Sequence, residues 1–173
     1  SKTAESYYLL KRLDPSYRIY WPDESMDIPA GYAHLRELFE KTETGSAKQL
    51  DSFLREAAFK YYTGMKKLVF KPGRSVAEFL DKDLLTGIIR LDVFSSMKKH
   101  IAAYFRNSKI QQLLEFPVLF LGALPEKTPA LYSLMNYADI HGGTWYPEGG
   151  IYSVITAMHR LALELNVQFR FSE

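Results

Sequence analysis

The sequence contains no cysteine. That absence excludes disulfides, thiolate nucleophiles and zinc sites that need a Cys ligand, and it points to a reducing compartment. A strong charge of either sign is also missing: 22 Lys and Arg stand against 20 Asp and Glu, for a formal net charge of +2. No nucleic-acid partner is expected, because such a partner calls for a clustered basic surface. Long apolar runs are absent as well. FPVLFLGALP, Phe116 to Pro125, falls well short of the roughly 20 residues needed to span a bilayer, so an integral membrane protein is not expected. The opening SKTAES carries no initiator Met and no basic and apolar leader, so neither a signal peptide nor a transit peptide is visible in it.

The familiar catalytic patterns are missing too. His34, His100, His141 and His159 fall at no ligand spacing, and no H-E-x-x-H occurs, so a metal site is not expected. GGIYS at Gly149 to Ser153 is not a nucleophile elbow, because Ser153 lies inside an expected helix. Neither G-x-G-x-x-G nor a Walker pattern is present, so the chain lacks the phosphate cradle of a dinucleotide or nucleoside triphosphate site.

What is abundant is aromatic: 12 Tyr, 11 Phe and 2 Trp in 173 residues. The length fits a single domain over residues 1–173 with a sizeable core. Tyr17, Ile19 and Trp21 alternate with Arg18 and Tyr20, so YRIYW reads as a strand entering the PDES turn. Pro29 to Lys41 reads as a short helix, with Pro29 in its first turn and Tyr32, Leu35, Leu38 and Phe39 on one face. Ser46 opens the clearest helix, with Gln49 completing a capping box and Leu50, Phe53, Leu54, Ala57, Ala58, Tyr61, Met65 and Leu68 as its stripe. KPGR at Lys71 to Arg74 ends it, and Ser75 with Glu78 starts another. Further helices are expected from about Ser96, from Ser108 with Gln111 and a break at Pro117, and after Thr128. The last helix begins at the second glycine pair, with Ile151, Val154, Ile155, Met158, Leu161, Ala162 and Leu165 inward. VQFRF, Val167 to Phe171, alternates as a strand. Either it joins YRIYW in a small mixed sheet or its neighbour lies outside the chain. The fold class is therefore α+β, mostly helical with a small mixed sheet.

An aromatic-rich helical interior is ordinarily core, and taken as a set it also suits a long apolar ligand. GGTWYPEGG, Gly142 to Gly150, sharpens that choice. It resembles the G-G-x-x-Y/F-P-x-G-G segment of the bacterial-type phytoene desaturase (carotenoid desaturase) family, within the flavin-containing amine-oxidase-like superfamily. LDPSYRIYWPDES and GALPEKTPALYSLMNYADIHGG are similar to the family's stretches before it. Gly142, Gly143, Tyr146, Pro147, Gly149 and Gly150 match the motif, and Trp145 fits a position that is often aromatic or aliphatic. Where the family has Gly before the closing strand this chain has Asn166, which tolerates the left-handed conformation.

The resemblance implies an oxidoreductase of carotenoid biosynthesis: an FAD-dependent phytoene dehydrogenase, cytoplasmic and peripherally membrane-associated. It implies that this chain is the substrate-binding domain excised from a two-domain FAD enzyme, inactive and without FAD on its own. Its partners would be phytoene or another carotenoid and the flavin domain of the same polypeptide. Trp145 and Tyr146 would line the reactive end of the substrate tunnel, against the plainer reading of a rigid turn capping the core. Gly142, Gly143, Pro147, Gly149 and Gly150 would form the flavin-proximal turn at the domain junction. Glu78 is the candidate proton acceptor, although a capping box already accounts for it. The alternatives are a free-standing helical module for a lipid or partner protein, or a related flavin oxidoreductase or isomerase with another apolar substrate.

Overall fold

The computed structural model describes residues 3–65 and 94–171. Leu68, the KPGR break and the Ser75 and Glu78 box lie outside them, so Glu78 receives no structural account. The chain divides into two compact units, Gly31–Gly142 and a second made of Ser1–Ala30 with Gly143–Glu173.

The first unit is helical. It comprises α1 (Tyr32–Thr42), α2 (Ser46–Thr63), α3 (Met97–Tyr104), α4 (Ser108–Glu115), a 3₁₀ turn at Phe116–Leu121, another at Ala130–Ser133, and α5 (Leu134–Gly142). Leu50, Phe53, Leu54 and Ala57 recur at helical spacing on α2 and are all buried. Around them close Leu35 and Phe39 of α1, Met97 and Ile101 of α3, and Phe105. Phe39 and Phe53 both meet the Phe105 ring edge-on, at centroid distances of 5.7 and 5.9 Å. Met65, expected in the stripe, is exposed. Pro117 falls in the first turn of the 3₁₀ segment, as the expected break requires.

The capping expectations need correction. α1 starts at Tyr32 behind Gly31, so Pro29 lies before the helix. Ser46 is the first helical residue of α2, and its Oγ is buried with no hydrogen-bond partner among the described residues. The residue before it, Gly45, is left-handed at φ 85°, and the Glu40 carboxylate accepts from the Gly45 and Ala47 amides at 2.7 and 3.1 Å. Likewise Asn107, not Ser108, caps α4, accepting from the Lys109 and Ile110 amides at 2.9 and 3.4 Å. In both cases the residue one step before the expected cap holds the non-helical backbone that a cap requires.

The second unit holds β1 (Leu10–Arg12), β2 (Tyr17–Tyr20), β3 (Ser25–Ile28), β4 (Trp145–Pro147) and α6 (Tyr152–Glu164). The strands form two separate antiparallel pairs, β2 with β3 and β1 with β4, and not one mixed sheet. Trp21 N–H donates to Glu24 C=O at 2.8 Å, which closes the Pro22 and Asp23 turn. Arg18 and Asp27 then face each other across the hairpin and form an ion pair, with Nη2 to Oδ2 at 2.8 Å. VQFRF takes no strand partner among the described residues, and β2 pairs there with β3 alone, so the expected pairing with YRIYW is not observed. Asn166 before it does adopt the left-handed conformation, at φ 61°. The largest correction concerns α6. Ile151, Ile155, Met158, Leu161 and Leu165, expected inward, are exposed, and Ala157 is the helix's buried residue.

Candidate functional site

The GGTWYPEGG motif is organised around a strand, which its glycine content concealed. Its register sets Leu10 opposite Pro147, Lys11 opposite Tyr146 and Arg12 opposite Trp145. Leu13 N–H donates to Thr144 C=O at 2.9 Å, and Glu148 N–H to Leu9 C=O at 2.9 Å. Because hydrogen-bonded and non-hydrogen-bonded pairs alternate, Arg12 with Trp145 and Leu10 with Pro147 are non-hydrogen-bonded pairs, whose side chains approach most closely. Pro147 therefore sits where the ladder needs no N–H, and its ring nitrogen faces the open edge of β4, where it blocks further pairing.

Successive strand residues point to opposite faces. Trp145 shares a face with Arg12, Leu10 and the buried Pro147, whereas Tyr146 lies on the other face with Lys11. Trp145 and Tyr146 are 49% and 45% exposed. The strand thus brings the two predicted aromatics together in sequence while directing them apart in space.

The glycines have separate local reasons. Gly143 has φ 78°, and a Cβ there would lie 2.7 Å from Arg12 Nε and 2.9 Å from its Cζ and Nη2. The group that approaches the first glycine pair is thus the Arg12 guanidinium. Gly150 N–H donates to Pro147 C=O at 3.0 Å, with Gly149 at φ 82° in the third position; this is a type II turn, which selects Gly there. Gly150, at φ 91°, lies beneath the Tyr146 hydroxyl, 3.8 Å from where its Cβ would be. Gly142 ends α5, and a Cβ on it would meet open space.

The turn leads into α6, whose exposed apolar residues line two grooves. One, of about 690 Å³, is formed by Tyr152, Ile155, Met158, Ala162, Phe169 and Phe171, with Thr156 and His159 as its polar members. The His159 and Phe169 rings are 4.5 Å apart, and Phe169 stacks on Phe171 at 6.0 Å, so VQFRF supplies a groove wall. The other groove, of about 530 Å³, lies between Tyr7, Tyr8, Met158, Leu161 and Leu165. Tyr7 OH donates to Glu164 at 2.7 Å beside it. Met158 lines both grooves.

An FAD pyrophosphate needs first-turn helix amides presented behind a Gly-rich turn that follows a parallel strand. Here the strand is antiparallel. The Gly150 amide closes the type II turn, while Ser153 and Val154 donate to Gly150 and Ile151 C=O at 3.0 and 3.1 Å. These residues do not fit that group. Among the described residues no cluster of three His, Asp or Glu could hold a metal ion, and no helix is long and apolar enough to cross a membrane.

Sequence reasoning missed one constellation in the helical unit. Lys60 on α2 is fully buried, with Nζ 2.8 Å from Glu56 Oε1, and it donates to Ala130 C=O and Ser133 Oγ, both at 3.2 Å. His100 Nε2 lies 3.5 Å from the same Nζ, and Tyr104 OH donates to Glu56 at 2.8 Å. Lys60 stands three residues after Ala57 on the buried stripe, the one signal that could have placed it inward.

Three relatives align with nearly the whole chain. The carotenoid 3,4-desaturase of Haloarcula japonica is 32% identical over 170 residues, 97% of this chain and 34% of that protein. The zeta-carotene-forming phytoene desaturase of Myxococcus xanthus is 27% identical over 171 residues, 98% of this chain and 33% of its own length. The 4,4'-diapophytoene desaturase (4,4'-diaponeurosporene-forming) of Staphylococcus aureus is 27% identical over 172 residues, 99% and 34%. The chain thus spans about a third of the length of the curated relatives it matches. The model for flavin containing amine oxidoreductase matches residues 3–173, which takes in both units and every described element, and the chain belongs to that family.

Proposed function

We propose that this chain is the substrate-binding segment of an FAD-dependent carotenoid desaturase, which dehydrogenates a long apolar polyene such as phytoene. The observation that carries the reading is the uncovered apolar surface of α6. A helix that is apolar around most of its circumference is ordinarily buried, yet Ile151, Tyr152, Ile155, Met158, Leu161, Leu163 and Leu165 are all exposed. Hydrocarbon laid in the grooves beside Met158 would remove that surface from water, at roughly 25 cal/mol per Å². The names of the relatives, all desaturases of carotenoid-type compounds, support the same substrate class.

In this reading residues 1–173 act as one substrate-binding domain of a larger polypeptide. The cofactor, FAD, is held by a part of the protein outside this chain, a reading that the poor fit of the Pro147 to Gly150 turn supports. Trp145 contacts the polyene, Tyr146 closes over the Gly149 and Gly150 turn from the opposite face of the strand, and that turn meets the flavin domain. The full enzyme works in the cytoplasm at a membrane surface, touching lipid through Leu119 and Phe120.

The test is a titration of the 173-residue chain with all-trans-retinol, a fluorescent polyene, followed by competition with phytoene. Saturable retinol binding that phytoene displaces is expected, together with no yellow colour after the chain is mixed with FAD and washed. Tight, stoichiometric FAD binding by the chain alone would contradict the assignment. So would retinol binding that phytoene leaves unchanged.

A further inference from the structure

Arg12 is held from three sides within the second unit. Its guanidinium fills the space that the missing Gly143 side chain leaves, 2.7 Å from where a Cβ would stand. Its Nη2 donates to Ala30 C=O at 2.9 Å. Its Cζ lies 5.9 Å from the centroid of the Trp145 ring, on the residue directly opposite in the ladder. A planar fork can satisfy a carbonyl at its edge while presenting its face to an aromatic ring, which an ammonium cannot do.

We infer that Arg12 is the positioning residue that fixes the Trp145 indole at the polyene site, and that position 143 is Gly because the guanidinium needs that space. The inference rests on the proposed role of Trp145 in ligand contact. The indole can turn about its side-chain bonds, and the guanidinium held beside it restricts the orientations open to it. A cation above one face selects one orientation and leaves the rest of the ring surface for a flat apolar chain. Arg12 touches no substrate in this account; it acts through Trp145.

The experiment uses the chain with Trp21→Phe, which leaves Trp145 as the sole tryptophan, since the sequence has two. Acrylamide quenching without ligand reports how firmly the indole is held. Energy transfer from Trp145 to all-trans-retinol, whose absorption overlaps indole emission, reports ligand contact. Arg12→Met, which keeps an apolar stem, and Arg12→Lys, which keeps the charge but loses the fork, should each raise the quenching constant and weaken retinol binding by about threefold. Gly143→Ala should do the same with Arg12 intact, because its Cβ displaces the guanidinium. Gly149→Ala is the control: it also puts Ala at positive φ, 82°, but its Cβ would meet only Ser153 Cβ, at 3.9 Å.

Unchanged quenching in both Arg12 variants, with native circular dichroism, would overturn the inference, and so would a Gly149→Ala response as large as that of Gly143→Ala. Should Arg12→Met not fold, Arg12→Lys and Gly143→Ala decide between the same outcomes. Altered quenching combined with no energy transfer in the parent chain would uphold the Arg12 clamp and remove Trp145 from the polyene site.

Discussion

Lys60 Nζ lies 2.8 Å from Glu56 Oε1, one helical turn earlier on α2, and the lysine is wholly buried while the glutamate is about one-third exposed. The same ammonium donates to Ala130 C=O and Ser133 Oγ, so one cation joins α2 to the turn that leads into α5. Deleting the charge leaves a carboxylate and two oxygens facing an apolar side chain. Lys60→Met is therefore expected to destabilise the helical unit by about 3 kcal/mol, the scale of breaking a buried ion pair from one side. Urea unfolding followed by circular dichroism measures it. A loss below about 1 kcal/mol would show that the cluster is decorative.

Glu56 also sets an acid limit. Burial acts to raise its carboxyl, but hydrogen bonds from Lys60 and Tyr104, with the Lys60 and His100 charges, outweigh burial and hold it below the usual glutamate range. A carboxyl lowered in the folded state adds stability that is complete above its unfolded value and is lost as pH falls through its folded value. The contribution should thus hold from pH 7 down to about 5 and decline below about 4. Glu56→Gln should flatten that decline. Parallel acid titrations of parent and variant, read by circular dichroism, would refute the assignment if the two curves kept the same slope.

Glu115 at the end of α4 behaves in the opposite sense. Burial raises its carboxyl, with Lys98 lowering it and Glu126 raising it again. A carboxyl raised in the folded state favours folding when protonated, so its charged form opposes folding as pH climbs above the folded value. Glu115→Gln should then raise the denaturation midpoint at pH 7, with the gain vanishing near pH 4. Thermal scans at the two pH values suffice, and an equal gain at both would exclude titration of Glu115 as the cause.

How far the sequence spoke depended on whether a residue's partner was local. The Leu50 to Ala57 stripe was legible because helical spacing alone decides which face is buried. The hairpin strand Tyr17–Tyr20 was legible by alternation. Strand Trp145–Pro147 was not: Gly, Pro and a three-residue length hide a ladder whose partner, Leu10–Arg12, lies over a hundred residues away. The caps at Gly45 and Asn107 each missed by one position, because Ser is a good cap by type while backbone dihedrals choose the position. On α6 the apolar pattern was read correctly and its burial was not, since periodicity reports which face is apolar and says nothing of what covers it. Of the site, the glycines' turn geometry was readable, while Arg12 was invisible because nothing in an isolated Arg marks the carbonyl, ring and vacant Cβ that surround it.

The 3₁₀ turn Phe116–Leu121 carries the prediction for the membrane. Pro117 and Val118 are buried and anchor it, while Leu119 and Phe120 are 64% and 73% exposed, with Leu121 and Leu124 exposed beside them. Four large apolar side chains on a firmly rooted tip are costly in water and suited to shallow insertion beneath lipid headgroups. Lys127, which follows this segment in sequence, favours an anionic surface together with Lys99, the neighbour of the Lys98 that is paired with Glu126 at 2.5 Å. The chain should float with anionic vesicles at low salt. Replacing Leu119 and Phe120 together by Ser should lower the partition coefficient about tenfold or more, since each buried side chain contributes on the order of 1.5 to 3 kcal/mol when fully inserted. High salt should weaken binding less than that substitution does, because the apolar contribution is not screened. If the double variant floats as the parent does, the apolar tip is not the membrane contact; if salt alone abolishes binding, the lysines carry it and the tip must have another occupant.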